Sequence, residues 1–350
     1  MKGSPQMLAI DIGAGTQDIL LYQGGREDEN NPQLVLPSPS RVCATRLEGL
    51  TEDLFIHGDT IGGGRIGPLL ERHIKKEYKV YMTERAAHTI RDDLNEVREM
   101  GIEVKETKPS DFAGEEVELK EVDIPFLLKV LNTFDEGRNI TLVAIAVQDH
   151  GFSTSGESDR VFRFSCFRRA LVEQKGLTGL VYRSEEIPLY FHRMLSAAHR
   201  AIREIEAKVM VMDTAISAIM GAMSQSTEPQ LIVNVGNGHT IMALIIRGQI
   251  QGLLEHHTSL LTMDKLRNYV IRFPRGDVSN EEVYNDGGHG AFLLEKPQAD
   301  VAIAVTGPKR GMMKETGIPY YLPAPGGSMM MTGPWGLVAG AKLRDLFPAK

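Results

Sequence analysis

Cysteine is scarce in this chain. Its 350 residues include two, Cys43 and Cys166, too few for a disulfide framework, a four-thiolate zinc site or an iron–sulfur cluster. No apolar run approaches the roughly 18 residues of a membrane span. The apolar stretch near the N-terminus is interrupted by Asp11, unlike a secretory signal. Neither sign of charge dominates: 39 basic and 46 acidic residues leave a net charge of −7. The basic residues form no stripe, which argues against nucleic acid as a main partner. A composition of 42% hydrophobic and 24% charged residues is that of a soluble globular protein. A cytoplasmic protein with neither membrane nor nucleic-acid partner is expected. The length suits two lobes of roughly 150–200 residues each.

What is present is one short device in two copies. Asp11-Ile12-Gly13-Ala14-Gly15-Thr16-Gln17-Asp18 and Asn234-Val235-Gly236-Asn237-Gly238-His239-Thr240 each follow an apolar strand and run into a second strand. A Gly-x-Gly turn brings backbone close to a ligand with no β-carbon in the way, and its successive N–H groups form a concave anion site. One copy is weak evidence, because glycine turns are common in hairpins. Two copies about two hundred residues apart suggest two similar lobes, each holding one end of a polyphosphate.

Periodicity organises the rest. Residues 7–22 read as strand, turn, strand, and residues 24–40 as a polar loop. Residues 54–57 and 79–82 read as strands, with a helix between them to about Lys76. Residues 84–100 read as an amphipathic helix on Ile90, Leu94 and Val97, with Gly101 as its stop. Residues 50–105 thus form a βαβα unit. Residues 142–147 are a buried strand, and residues 188–208 a helix with Pro188 at its first position. Residues 209–213 are a strand and 214–223 a helix, whose Ala215, Ala218, Gly221 and Ala222 make a thin face for close packing. Residues 230–254 form a meander, and residues 301–305 a strand that ends in Thr306-Gly307-Pro308-Lys309. The expected lobes are 1–207, with an insert at about 40–135, and 208–350.

These elements, in this order, resemble the actin, heat-shock chaperone and sugar kinase superfamily of ATPases. The resemblance implies an α/β protein of two ribonuclease-H-like lobes with a nucleotide cleft between them, and ATP and Mg2+ as cofactors. It implies that Gly13, Gly15, Thr16 and Gln17 in the first hairpin hold phosphate, with Gly236, Asn237, Gly238, His239 and Thr240 in the second. Gly307, Lys309, Gly326 and Gly327 then lie on the adenosine side. Asp11 stands where the superfamily's metal-shell aspartate stands; its alternative is a strand-end carboxylate accepting turn N–H bonds. Asn234 replaces an aspartate often found in the second hairpin, and its carbonyl can still accept from a metal-bound water. The resemblance is poor over residues 24–140. The chain more closely resembles a family of archaeal and anaerobic bacterial proteins sometimes labelled as related to pyruvate formate-lyase activating enzyme. A radical-SAM mechanism needs three closely spaced cysteines, and this chain does not have them.

Two further places are suited to a substrate. Asp149-His150-Gly151 follows a buried strand, where the crevice of an α/β sheet lies, and resembles a sugar-kinase substrate loop. Asp149 could accept a substrate proton while His150 binds it; the alternative is an Asx turn. Gly62, Gly63, Gly64 and Arg65, with Asp59 just before them, open a helix whose N–H groups could bind an anionic group, or make a plain turn. Glu255-His256-His257 is read as structural, since adjacent histidines on a strand point apart. The methionines at 312–313 and 329–331 are read as packing. Three functions follow: a Mg-dependent phosphotransferase acting on a small molecule, an ATPase switch acting on a protein partner, or a nucleotide sensor that does not hydrolyse.

Overall fold

Strand β1 (Gln6–Ile12) is buried along its whole length, which is why its apolar residues run without alternation. The Gly13 N–H donates to the Thr16 carbonyl at 2.9 Å, closing the turn into the antiparallel β2 (Thr16–Gln23). The chain then adds β3 (Gln33–Pro37) beside β2, so residues 24–40 are not one polar loop. β3 is an edge strand, the place in a sheet where proline is tolerated. The computed structural model describes residues 4–153, 156–173, 176–223 and 229–348.

Helix α1 (Pro39–Glu48) starts at Ser38, whose hydroxyl accepts from the Arg41 N–H, and leads into an inserted unit. This comprises β4 (Leu54–Gly58), α2 (Ile66–Ile74), β5 (Val80–Met82), α3 (Glu84–Ala87), α4 (Leu94–Glu99), β6 (Glu103–Val104) and β7 (Glu115–Leu119). Its four strands are all parallel, in the order β6-β5-β4-β7. The expected single helix over 84–100 is broken. Asp93 caps α4 by accepting from the Asn95 N–H, and the Thr89 hydroxyl accepts from the Ile61 N–H. Those bonds outweigh the helical periodicity and hold residues 88–92 as a loop.

The first sheet resumes after α5 (Ile124–Asn132) with β8 (Ile140–Val147), followed by α6 (Asp159–Glu173), β9 (Val181–Arg183), α7 (His192–Glu204) and β10 (Lys208–Asp213). Helix α7 begins four residues later than expected from Pro188, because Asp149 Oδ2 accepts from the Arg193 and Met194 N–H groups and fixes its N-terminus there. The order β3-β2-β1-β8-β10-β9, with β8 parallel to β1 and β10 parallel to β8, is the ribonuclease-H arrangement with one added edge strand. Residues 208–213 therefore pair within the first sheet, six residues beyond the expected lobe boundary.

Helix α8 (Thr214–Ala222) crosses to the second sheet, built from β11 (Gln230–Val235), β12 (His239–Ile246) and β13 (Gln249–His257). After α9 (Met263–Arg272) and α10 (Asn280–Asn285) come β14 (Gly290–Leu293) and β15 (Ala302–Thr306). Its order, β14-β13-β12-β11-β15 with β15 parallel to β11, repeats the β3-β2-β1-β8 part of the first, with β14 added at the outer edge. Helix α11 (Thr332–Leu343) then returns to lie against α8. A Cβ on Gly221 would fall 1.7 Å from the Thr332 carbonyl oxygen, and one on Gly336 1.7 Å from that of Ser217. The helices thus cross at backbone contact. One apolar core fills the space around them, from Met7, Ala9 and Leu142 in the first sheet to Ile232, Ile241 and Ala243 in the second.

Candidate functional site

Both Gly-x-Gly turns open onto one cavity of about 590 Å³ between the lobes, a size suited to a small ligand. Asp11, Gly13, Gly15, Thr16 and Asp18 line it from the first hairpin; Asn234, Gly236, Asn237, Gly238 and His239 line it from the second. The turns meet at their tips, where a Cβ on Gly15 would lie 2.9 Å from Asn237 Nδ2. Gly236 is needed for its own turn, since a Cβ there would fall 2.6 Å from the His239 carbonyl oxygen.

The electrostatics of the floor are unusual. Asp11 and Asp18 are cross-strand partners, and both are buried. Thr214 donates its hydroxyl to Asp11 Oδ1 at 2.5 Å, while Asp18 Oδ1 is buried with no hydrogen-bond partner. Burial, then the neighbouring Asp18 charge, pushes the Asp11 carboxyl up to about 8. Burial pushes Asp18 up to about 6. Two buried carboxylates with too few donors form a set of hard oxygen ligands that fits Mg2+. Helix α11 presses on this pair, because Gly333 leaves no room for a Cβ: one there would sit 1.8 Å from Asp11 Oδ2.

The cavity continues from the hairpins in two directions. Toward the second lobe it is lined by Thr306, Gly307, Pro308, Met329 and Met330. Toward the insert it is lined by Gly62, Gly63, Gly64, Arg193, the loop at residues 88–92, Gln148, Asp149 and His150. The glycines there are tightly fitted: a Cβ on Gly62 would lie 3.0 Å from the Arg193 guanidinium, and one on Gly63 2.5 Å from the Thr89 carbonyl oxygen. Arg193 pairs with buried Glu121 at 2.5 Å and donates to the Gln148 carbonyl at 2.9 Å.

Several expected residues lie elsewhere. Asp59 is wholly buried and pairs with Arg200 at 2.7 Å; it also accepts from the Glu121 N–H, so it ties the insert to α7 and cannot meet a substrate. Arg65 is 75% exposed and pairs with Glu48. Gln17 donates to the Pro37 carbonyl, and the Thr240 hydroxyl is 3.0 Å from that of Thr258. Lys309 is exposed. Gly326 and Gly327 adopt positive φ beside Trp335 and Glu29. None of these lines the cavity. Asp149 does line it, but it accepts from the Gly151, Arg193 and Met194 N–H groups, the role of a helix-capping carboxylate. Burial pushes Asp149 up to about 6.

One residue that sequence reasoning passed over sits at the junction of the lobes. Arg163, 2% exposed, reaches Asp213 at 2.6 Å and Glu255 at 3.1 Å and donates to the Asp149 carbonyl at 2.7 Å. It joins α6 to strands of both sheets. Its signal was an arginine on the apolar face formed by Phe164, Phe167 and Ala170. Glu255 therefore has a charge partner, and His256 meets Asp286 at 3.2 Å, in line with a structural reading of that run.

A family model described as "Putative pyruvate format-lyase activating enzyme (DUF1786)" matches residues 61–312. No curated protein sequence matches the chain. Among solved structures it is similar to the ethanolamine utilization protein EutJ from Carboxydothermus hydrogenoformans, at 11% identity, covering 96% of this chain and 89% of that one with a TM-score of 0.35. It is also similar to the inorganic polyphosphate/ATP-glucomannokinase from Arthrobacter sp. strain KM, at 11% identity, 97% and 100% coverage and a TM-score of 0.40. A third is the activator of the 2-hydroxyisocaproyl-CoA dehydratase from Clostridium difficile with bound ADPNP, at 8% identity, 99% coverage of each chain and a TM-score of 0.32.

Proposed function

The chain belongs to the DUF1786 family, and we propose that it binds Mg–ATP in the interlobe cavity and transfers a phosphoryl group to an anionic small molecule. One observation carries this reading: a single cavity joins both glycine turns and the Asp11–Asp18 pair to the insert's glycine turn and Arg193. The radical chemistry suggested by the family's description finds no support in this chain, whose two cysteines, Cys43 and Cys166, lie in α1 and α6.

In this reading Asp11 and Asp18 would hold the magnesium, with Asn234 lining the same cavity from the second hairpin. The turns at Gly13, Gly15, Gly236 and Gly238 cradle phosphate oxygens with backbone N–H groups. Magnesium would supply charge neutralisation for the phosphates. Gly307, Pro308, Met329 and Met330 wall the adenosine end. The acceptor lies near Gly62, Gly63, Gly64 and His150, with Arg193 drawing its anionic group. Asp149 positions Arg193 through the start of α7 rather than taking the proton. Catalysis then rests on positioning and preorganised charge.

The test is ADP release measured with a panel of phosphate- and carboxylate-bearing alcohols. Turnover that requires one of them supports the phosphotransferase. Slow hydrolysis indifferent to every acceptor refutes it in favour of an ATPase switch.

A further inference from the structure

Behind the hairpins, three histidines from distant points of the chain meet where the lobes join. We propose that His150, His239 and His289 form a binding site for a divalent transition-metal ion, with Zn2+ as the reference ion. His150 follows β8, His239 opens β12 and His289 immediately precedes β14. One ring nitrogen from each lies within 4.8 Å of the other two, and the ring centroids are 4.9 to 5.9 Å apart. No motif links residues 150, 239 and 289, so the sequence hides the cluster.

Unsatisfied nitrogens point to a ligand. The His289 side chain is 0% exposed, and neither of its ring nitrogens has a hydrogen-bond partner. His239 Nε2 is buried and unpartnered as well. Buried polar atoms left this way call for an ion or an ordered water. The rings are also in the form a metal needs. Burial pushes His150 down to about 3 and His239 to about 4, and depresses His289 too, so all three are neutral imidazoles at neutral pH. Two cations stand near the cluster: Arg163 is matched by Asp213 and Glu255, and Arg160 donates to the Gly288 carbonyl.

The outer contacts suit such a site. The Gln148 amide nitrogen lies 2.7 Å from His239 Nδ1, and Glu255 Oε2 lies 3.6 Å from His289 Nδ1. The carboxylate on the Nδ1 side of His289 leaves its Nε2 as the ligand atom, the pattern by which outer groups orient metal-binding histidines; His239 offers Nε2 once the Gln148 amide turns its oxygen toward Nδ1. Zinc holds imidazole nitrogens at about 2.0–2.1 Å, which small side-chain rotations reach from the present spacing. Imidazole donors select Zn, Fe, Co, Ni or Cu over Mg2+, so this site is separate from the Asp11–Asp18 carboxylates and does not rest on nucleotide binding. His150 and His239 both line the cavity. The remaining coordination position therefore opens toward it, where a phosphate or carboxylate oxygen of a small ligand can complete the shell. Three histidines plus an open position is the plan of a catalytic rather than a purely structural zinc site.

The experiment uses the full chain, stripped with chelator and titrated with ZnCl2 by calorimetry, with the visible spectrum of the Co2+ form as a second readout. One Zn2+ per chain is expected, with intense low-symmetry Co2+ absorption. His239→Gln and His289→Gln should each weaken binding by more than about 100-fold, beyond the usual loss from an outer-shell change. The exposed His199→Gln should leave it unchanged. If His289→Gln fails to fold, His150→Gln and the wild-type Co2+ spectrum decide. No Zn2+ uptake at micromolar metal overturns the proposal. So does binding that survives His239→Gln and is lost in His88→Gln, which would put the ion at the separate cluster of His88, Asp92 and His192.

Discussion

Replacing Asp11 with Asn should stabilise the ligand-free protein, and by more as the pH rises. The carboxyl is buried beside Asp18 with the Thr214 hydroxyl as its donor, and it titrates near 8 instead of its ordinary 3.8. Folding therefore takes up a proton at this site. The Asp11 contribution is fully present below about pH 4 and is lost as the pH climbs toward 8, at about 1.4 kcal/mol per unit. Between pH 6 and pH 8 the wild type should lose about 2 kcal/mol that the Asn variant keeps. The depressed histidines act in the opposite sense below their ordinary 6.5, and they cancel when the two proteins are compared. Urea unfolding of both proteins at the two pH values measures the difference; parallel pH dependences would refute the reasoning. The same logic predicts that Mg–ATP displaces about one proton at pH 7, read by calorimetry in buffers of different ionisation enthalpy, and that Asp11→Asn abolishes this release.

Other substitutions probe the frame around the site. Gly336→Ala should cost about 3 kcal/mol or more, because its Cβ would meet the Ser217 carbonyl oxygen at 1.7 Å; thermal unfolding checks this. Arg163→Met should cost about 3–5 kcal/mol by leaving Asp213 and Glu255 buried without a cation, and denaturant melts should show it. Arg65→Ala should change stability by less than about 0.5 kcal/mol and leave ATP affinity unaltered, since Arg65 points to solvent and meets Glu48.

The strand–turn–strand units at residues 7–22 and 230–246 were legible because an unbroken apolar run followed by Gly-x-Gly leaves few alternatives. Strand β3 was hidden by Pro32 and Pro37, which mark a loop unless the strand is known to lie at an edge. Helix α6 was hidden by Arg163, whose charge interrupts the apolar face it belongs to. The break at residues 88–93 depends on Thr89 bonding to Ile61, a tertiary bond that no periodicity reveals. Within the site, Asp11 stood out through its hairpin. Asp18 was in view in the same motif, but its partnership with Asp11 needed the strand register. Asp59 looked like a substrate ligand because glycines follow it, yet Arg200, 141 residues away, claims it. Arg193 and the three histidines come together only through folding, so their chemistry was absent from any local pattern.

The central claim is that the cavity between the two hairpins holds Mg–ATP. Calorimetric titration of the purified chain with ATP, with and without magnesium and alongside Asp11→Ala, tests it most directly. The account predicts micromolar binding that requires magnesium and is lost in the variant. Absence of binding at millimolar ATP, or binding indifferent to both magnesium and Asp11, would contradict it.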